Sequence, residues 1–141
     1  MRSGMNASRL ENRRGAAIVE FAFLLPFLAF IFVIAVDWGR IFYYSIVVQN
    51  CARNGTLWLS DSYLQQYSPY STVTDAATAD AGDLSPTPSV SSTTGTDSYG
   101  KTYVKCTVTY TFSTFTNYPG VPQTTSVTGA FEMYPAASAP K

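Results

Sequence analysis

The sequence contains no histidine and only two cysteines, and charged residues make up 13% of its 141 residues. Histidine is the commonest general base and the commonest zinc ligand, and two thiolates alone cannot complete a zinc site. Nine basic residues balance nine acidic ones, so the chain has no excess of positive charge for neutralising phosphates. We therefore expect no enzyme activity, no metal or other cofactor, no small-molecule substrate and no nucleic-acid partner.

Apolar residues are concentrated in one run. Residues 1–14 are polar and basic, whereas residues 15–36 contain one charged residue, Glu20, and one proline, Pro26. A helix of that length spans about 33 Å, which matches the hydrocarbon core of a bilayer. We predict a basic leader at 1–15 in the cytoplasm and a transmembrane helix at 16–36, because arginines precede the run. The remainder then lies outside the cytoplasm.

The end of the run carries residues that are typical of a membrane interface. Asp37, Trp38 and Arg40 follow the last apolar residue, and aromatic and charged side chains are common at the level of the headgroups. Asp37 and Arg40 lie three apart on a helix, so they either pair with each other or only mark the interface. A cleaved secretory signal is the alternative interpretation, but the run is too long and no small-residue cleavage site follows it.

Residues 37–59 are predicted to continue the same helix as an amphipathic stem. Six small or apolar residues fall on one side of a helical wheel, and four polar residues fall opposite. The first set is Ile41, Tyr44, Val48, Ala52, Gly55 and Leu59, and the second is Gln49, Asn50, Arg53 and Asn54.

Residues 60–100 are predicted to form a long exposed loop. Sixteen of these 41 residues are Ser or Thr, and none is Lys or Arg. Such a segment has too few apolar residues to offset its ordering entropy. A short alanine-rich helical turn is expected near Asp75–Ala81.

The last segment, residues 101–141, has the period of two that is typical of strands. Val104, Cys106, Val108, Tyr110 and Phe112 alternate with polar residues. A second alternating segment at 124–134 carries Val127, Phe131 and Met133 on one face, after turn residues at 117–122. We predict an α+β membrane-anchored fold, in which an antiparallel hairpin at about 102–134 packs on the stem and is followed by a frayed tail from Pro135.

The two cysteines are predicted to face the same contact between helix and strand. Cys51 lies on the stem and Cys106 on the inward face of the first strand of the hairpin. In an oxidising compartment they form a disulfide, which constrains a small head. The alternative is a pair of buried thiols that act as small apolar residues.

A motif lies at the start of the apolar run, where Gly15 follows two arginines and precedes Glu20 by five residues. This spacing is similar to that of prepilin-like proteins. The strings that extend the motif are RRGAAIVEF at 13–21, AFLLP at 22–26, DWGR at 37–40 and QNCARNG at 49–55. Together they resemble the TadE family of tight-adherence pilus pseudopilins. The resemblance extends over about residues 13–57, and Cys51 departs from it because a small residue is expected there.

The resemblance implies a role for each residue of the motif. A prepilin peptidase would cleave between Gly15 and Ala16, and the glycine offers no side chain to obstruct its cleft. Glu20 would pair with the new amino terminus of a neighbouring subunit and set the register of assembly. Phe21 takes the position where major pilins carry tyrosine, and Pro26 loosens the helix. The alternative for Glu20 is an unpaired side chain that reaches the interface.

The implied function is that of a minor pilin-like structural component in a tight-adherence pilus. The implied partners are membrane lipid, the prepilin peptidase, the pilus platform of the bacterial inner membrane, and the major and other minor pilins. Two other hypotheses share these residues. One is a permanently anchored envelope protein whose head binds or adheres to another component, and the other is a pseudopilin of a secretion system.

Overall fold

The computed structural model describes residues 5–82, 84–115 and 123–136, with side chains from residue 15 onward. The helices are α1 (Met5–Ser60), α2 (Ser62–Tyr67) and α3 (Val73–Thr78), and the strands are β1 (Ser89–Thr96), β2 (Thr102–Ser113) and β3 (Thr124–Met133). The chain divides into two compact units, Met1–Trp38 and Gly39–Lys141, and α1 contributes to both. We call the second unit the head.

In the first unit, the apolar run of α1 is exposed along most of its length. The most apolar window of 18 residues has a mean hydropathy of 2.6, and none of it is buried. Every residue from 15 to 33 is exposed, including five phenylalanines between residues 21 and 32. By length and composition this helix can cross a membrane. The predicted long apolar helix is therefore confirmed.

The head is built on a three-stranded antiparallel sheet in the order β1–β2–β3. The inward residues of β2 that the alternation predicted are all buried, from Val104 to Phe112. The register places Val127 opposite Tyr110 and Met133 opposite Val104, so β3 presents its predicted apolar face on the same side. The predicted hairpin is confirmed as β2 and β3, and β1 is an additional strand.

Within the head, the stem packs its predicted apolar side against this sheet. Val48 and Ala52 are fully buried in a core cluster with Cys106 and Val108, and Ile41, Tyr44 and Leu59 pack around it. Gly129 of β3 lies so close to the helix that a Cβ there would meet the Val48 carbonyl oxygen at 2.9 Å. A strand can approach a helix that closely only where a side chain is missing.

The prediction of a loop at 60–100 was wrong, because the segment contains α2, α3 and β1. The strand β1 pairs with β2 over all eight of its residues, and at this sheet edge its side chains remain mostly exposed. Backbone pairing therefore orders a segment that has little apolar surface. The alanine-rich turn is α3, which lies at Val73–Thr78 and buries Ala76 and Ala77.

Polar caps begin both short helices. The Asp61 carboxylate accepts a hydrogen bond from the Tyr63 amide at 2.8 Å, and the Thr72 hydroxyl accepts one from the Asp75 amide at 3.1 Å. These side chains satisfy backbone groups that a helix terminus leaves free. The predicted turn at 117–122 and the tail beyond residue 136 lie outside the described residues.

Candidate functional site

Gly15 and Ala16, the predicted cleavage position, lie within α1 and are exposed. A Cβ built on Gly15 would meet no atom within 4 Å. Packing within the described chain therefore does not require a glycine here. The backbone does not require one either, because the residue is helical and has no positive φ. Processing after Gly15 stays a prediction.

Glu20 is exposed on the apolar helix, one helical turn after Ala16. Among the residues whose side chains the structure describes, none forms an ion pair with Glu20. Phe21 is 58% exposed beside it. A carboxylate in lipid is costly without a partner. The pairing predicted for Glu20 and its alternative, a side chain that reaches the interface, both stay predictions.

Pro26 does not end the helix, because α1 continues from Met5 through it to Ser60. A proline has no amide hydrogen to donate to the carbonyl four residues earlier. The predicted loosening of the helix at Pro26 stays a prediction, as does its role in assembly.

The three residues predicted at the membrane interface have different environments. Asp37 is buried and Trp38 is exposed. Within the head, the Arg40 guanidinium lies 4.3 Å from the centre of the Phe115 ring and donates a hydrogen bond to the Ser113 carbonyl at 3.3 Å. Arg40 therefore joins the stem to the end of β2. The pairing of Asp37 with Arg40 and their placement at an interface stay predictions.

Cys51 and Cys106 are both fully buried and belong to the same core cluster, as predicted. They are two separate thiols in this structure, so the disulfide stays a prediction. Burial raises the pKa of both thiols, with the charge of Asp80 raising that of Cys51 further and Cys51 itself raising that of Cys106. Both thiols therefore stay protonated at neutral pH and are poor nucleophiles.

Two polar contacts of the head were missed by the sequence analysis. The Thr56 hydroxyl lies 2.8 Å from the Ala52 carbonyl oxygen and 3.0 Å from that of Phe131. The Asn54 amide donates to the Asp80 carboxylate at 2.6 Å. A buried threonine at a stem position was the available signal for the first, because a buried hydroxyl needs an acceptor. No spacing rule connects Asn54 with Asp80.

The comparison with protein families matches one segment of the chain. Residues 15–56 match the model of the TadE-like protein family. The chain carries a TadE-like segment. The resemblance drawn from the motif is therefore confirmed for these residues, which form the apolar helix and most of the stem. No curated protein and no solved structure matches the chain.

The TadE-like segment indicates a pseudopilin-like component that is associated with a tight-adherence pilus assembly system. Together with the apolar helix, it indicates membrane anchoring. The matched segment holds Gly15, Glu20 and Pro26, and it also contains the stem residues Val48 and Ala52 that pack on the sheet. The segment is thus both the apolar helix and one side of the core of the head.

Proposed function

We propose that this protein is a minor pilin-like structural component of a tight-adherence pilus, made as a precursor that is cleaved after Gly15. Its role is structural, and its only chemistry is as the substrate of the peptidase. The amino-terminal leader faces the cytoplasm and the head lies outside the inner membrane. Its partners are the prepilin peptidase, the inner-membrane platform and the other pilins.

The observation that carries the proposal is Glu20, a carboxylate without a partner among the described side chains on a helix that is otherwise apolar and exposed. Cleavage after Gly15 creates an ammonium group at Ala16, four residues before Glu20. Because the two charges lie on one chain in every subunit, neighbouring subunits that are offset along their helices can pair them reciprocally. Pairing removes the cost of burying each charge alone.

Glu20→Gln tests this pairing, because it removes the charge and keeps the shape of the side chain. The protein would be purified with an affinity tag from native membranes, and the pilins that accompany it would be identified by mass spectrometry. We expect Glu20→Gln to remain in the membrane and to lose most of the accompanying pilins. An ion pair that aligns subunits cannot form with an uncharged amide.

Glu132→Gln is the matched control. Glu132 is an exposed residue of β3, and its carboxylate lies 4.0 Å from the Lys105 ammonium, so its loss has little effect on folding. We expect this variant to retain its pilins. Equal recovery of pilins with Glu20→Gln and with the unaltered chain would contradict the proposed role of Glu20. Accompanying proteins of a secretion machine instead of pilins would assign the chain to that system.

A further inference from the structure

A cavity of about 250 Å³ lies in the head, where the end of α1 meets α2 and α3. The side chains that line it are mainly apolar, and two of them are aromatic. The residues that matter most are Leu57, Trp58, Leu64, Tyr70, Asn54 and Asp80. The volume is smaller than that of most sites for drug-sized ligands, so it suits a single side chain or another group of that size.

The charge at this cavity is negative. Asp80 is exposed, and its carboxylate accepts a hydrogen bond from the neutral Asn54 amide at 2.6 Å. Within the described part of the chain, no cation forms an ion pair with Asp80. The sequence from 54 to 100 holds five aspartates and no Lys or Arg. An anionic ligand would therefore be repelled, and a cation would be attracted.

The aromatic walls favour the same kind of ligand. The faces of Trp and Tyr rings carry a negative electrostatic potential, so a cation beside them is stabilised, most strongly where water is excluded. A guanidinium group can stack on such a ring and form two hydrogen bonds with a carboxylate at once. Trp58, Tyr70 and Asp80 line one cavity and offer both kinds of contact.

The surroundings of the cavity indicate that the cation belongs to a protein. Helix α2 contributes Leu64 to the wall and exposes Tyr63 and Tyr67, which are 65% and 64% accessible. Their rings lie 4.4 Å apart and form an exposed aromatic pair. Tyrosine and tryptophan are enriched at protein–protein contacts, where they anchor partners. A free small amine would not need this exposed pair.

We propose that this cavity binds an arginine or lysine side chain of a partner protein, with Asp80 as the counter-ion and Trp58 and Tyr70 as aromatic walls. This binding goes beyond the proposed pilus role and does not depend on cleavage after Gly15. The cavity lies within the head, so the site stays intact in a chain that is never processed.

The test is a titration of the full-length protein in detergent micelles, followed by the NMR signal of the Trp58 indole. The sequence has a second tryptophan, Trp38, and Trp38→Phe assigns the two signals. The probe is acetyl-Gly-Arg-Gly-amide, and its control is the same peptide with citrulline, which is neutral and similar in shape. We expect the arginine peptide to give a saturable shift. We expect the citrulline peptide to bind at least about fivefold more weakly.

Two pairs of variants test the residues. Asp80→Asn is expected to weaken binding of the arginine peptide by about fivefold or more, whereas Asp75→Asn, on α3 outside the cavity, leaves it unchanged. Tyr70→Leu is expected to weaken binding and Tyr70→Phe to preserve it, because only the ring is needed. A dispersed spectrum of each variant shows that the head is folded.

Three results with these peptides would overturn the proposal. These are equal shifts with arginine and citrulline peptides, no saturable shift with either, and undiminished binding by a folded Asp80→Asn variant. Tetramethylammonium separates the two sources of a cation. Tighter binding of this ion than of the arginine peptide would assign the cavity to a free quaternary amine, contrary to the proposed partner side chain.

Discussion

Thr56 carries the most informative hydroxyl in the head. Its side chain is fully buried, and its single hydrogen is shared between the Ala52 carbonyl of its own helix and the Phe131 carbonyl of β3. The second contact links the stem to the outer strand of the sheet. A buried carbonyl without a donor is costly, so this link contributes to the attachment of β3.

Thr56→Val is expected to lower the free energy of unfolding of the head by about 1–3 kcal/mol, because the Phe131 carbonyl is left without this donor. Thr78→Val is the matched control, since the Thr78 hydroxyl donates a hydrogen bond to the Thr74 carbonyl on the surface of α3. We expect the control to change stability by less than about 0.5 kcal/mol. Denaturant unfolding in micelles, followed by intrinsic fluorescence, measures both. Similar effects of the two substitutions would contradict the role of Thr56.

The two buried thiols predict a dependence of stability on pH. Burial raises the pKa of Cys51 and of Cys106 in the folded state above that of the unfolded chain. The unfolded state therefore loses its thiol protons first as the pH rises. The stabilising contribution is complete below the unfolded pKa of about 8.5 and is lost as the pH rises through the folded pKa.

We therefore expect the reduced protein to lose stability above about pH 8.5. The double variant Cys51→Ala with Cys106→Ala lacks these thiols and should show a weaker loss over the same range. Protein that carries the predicted disulfide should resemble the double variant, because it has no thiol to titrate. Unfolding free energies at several pH values, with and without reductant, distinguish the two forms. Identical pH profiles for the reduced protein and the double variant would contradict this explanation.

At the scale of elements, the stem and the sheet approach each other through small residues. A Cβ on Gly55 would lie 2.6 Å from the Cys106 sulfur and 3.0 Å from the Ala77 Cβ. Gly129 has the same function on the side of the sheet, where it meets the backbone of the stem. The contact between α1 and the sheet therefore depends on missing side chains, and one added methyl group must displace core residues.

Gly55→Ala is expected to destabilise the head by about 1–2 kcal/mol, since overpacking costs more than the gain in helix propensity. Gly39→Ala is the control on the same helix, because a Cβ there would meet no atom within 4 Å. We expect Gly39→Ala to leave stability unchanged or to raise it by up to about 1 kcal/mol. The same denaturant experiment gives both values. If Gly55→Ala were as stable as Gly39→Ala, the core would accommodate the added methyl group without cost, and the prediction would be wrong.

The period of the apolar residues predicted the stem and β2, each of which buries one face. It missed β1, whose side chains remain mostly exposed. The stem and β2 each place apolar residues at regular intervals, as Val48 with Ala52 and Val108 with Tyr110 show, and these residues are buried. The strand β1 reads SVSSTTGT, and its pairing with β2 is made by the backbone. A pattern of side chains carries no information about that pairing.

The features of the candidate site also fall into two groups, those that the sequence predicted and those that it missed. The motif around Gly15 and Glu20 is local in sequence and was recognised, and the family model matches the segment that contains both. The contacts of Arg40 with Phe115 and of Asn54 with Asp80 join residues that are distant in sequence. Such contacts follow from the position of the sheet and of α3 relative to the stem, which the sequence pattern did not specify.

At the scale of the whole molecule, α1 contributes to two units that differ in how far their apolar side chains are exposed. The first unit exposes apolar side chains from residue 15 to 33. Such a surface is unfavourable in water and favourable in the hydrocarbon core of a bilayer. The head buries its own apolar core, with Val48, Cys106 and Val108 fully inaccessible. The first unit therefore suits membrane anchoring, and the head folds around a core of its own.

The most direct test of the proposed function is the intact mass and amino-terminal sequence of the protein from native membranes. Two variants accompany it, Gly15→Leu and Gly39→Leu, because a Cβ at either position meets no atom within 4 Å. We predict that the unaltered chain and Gly39→Leu begin at Ala16, and that Gly15→Leu retains residues 1–15. An unaltered chain that still begins at Met1, in cells that contain the peptidase, would contradict the proposal and leave a permanently anchored protein.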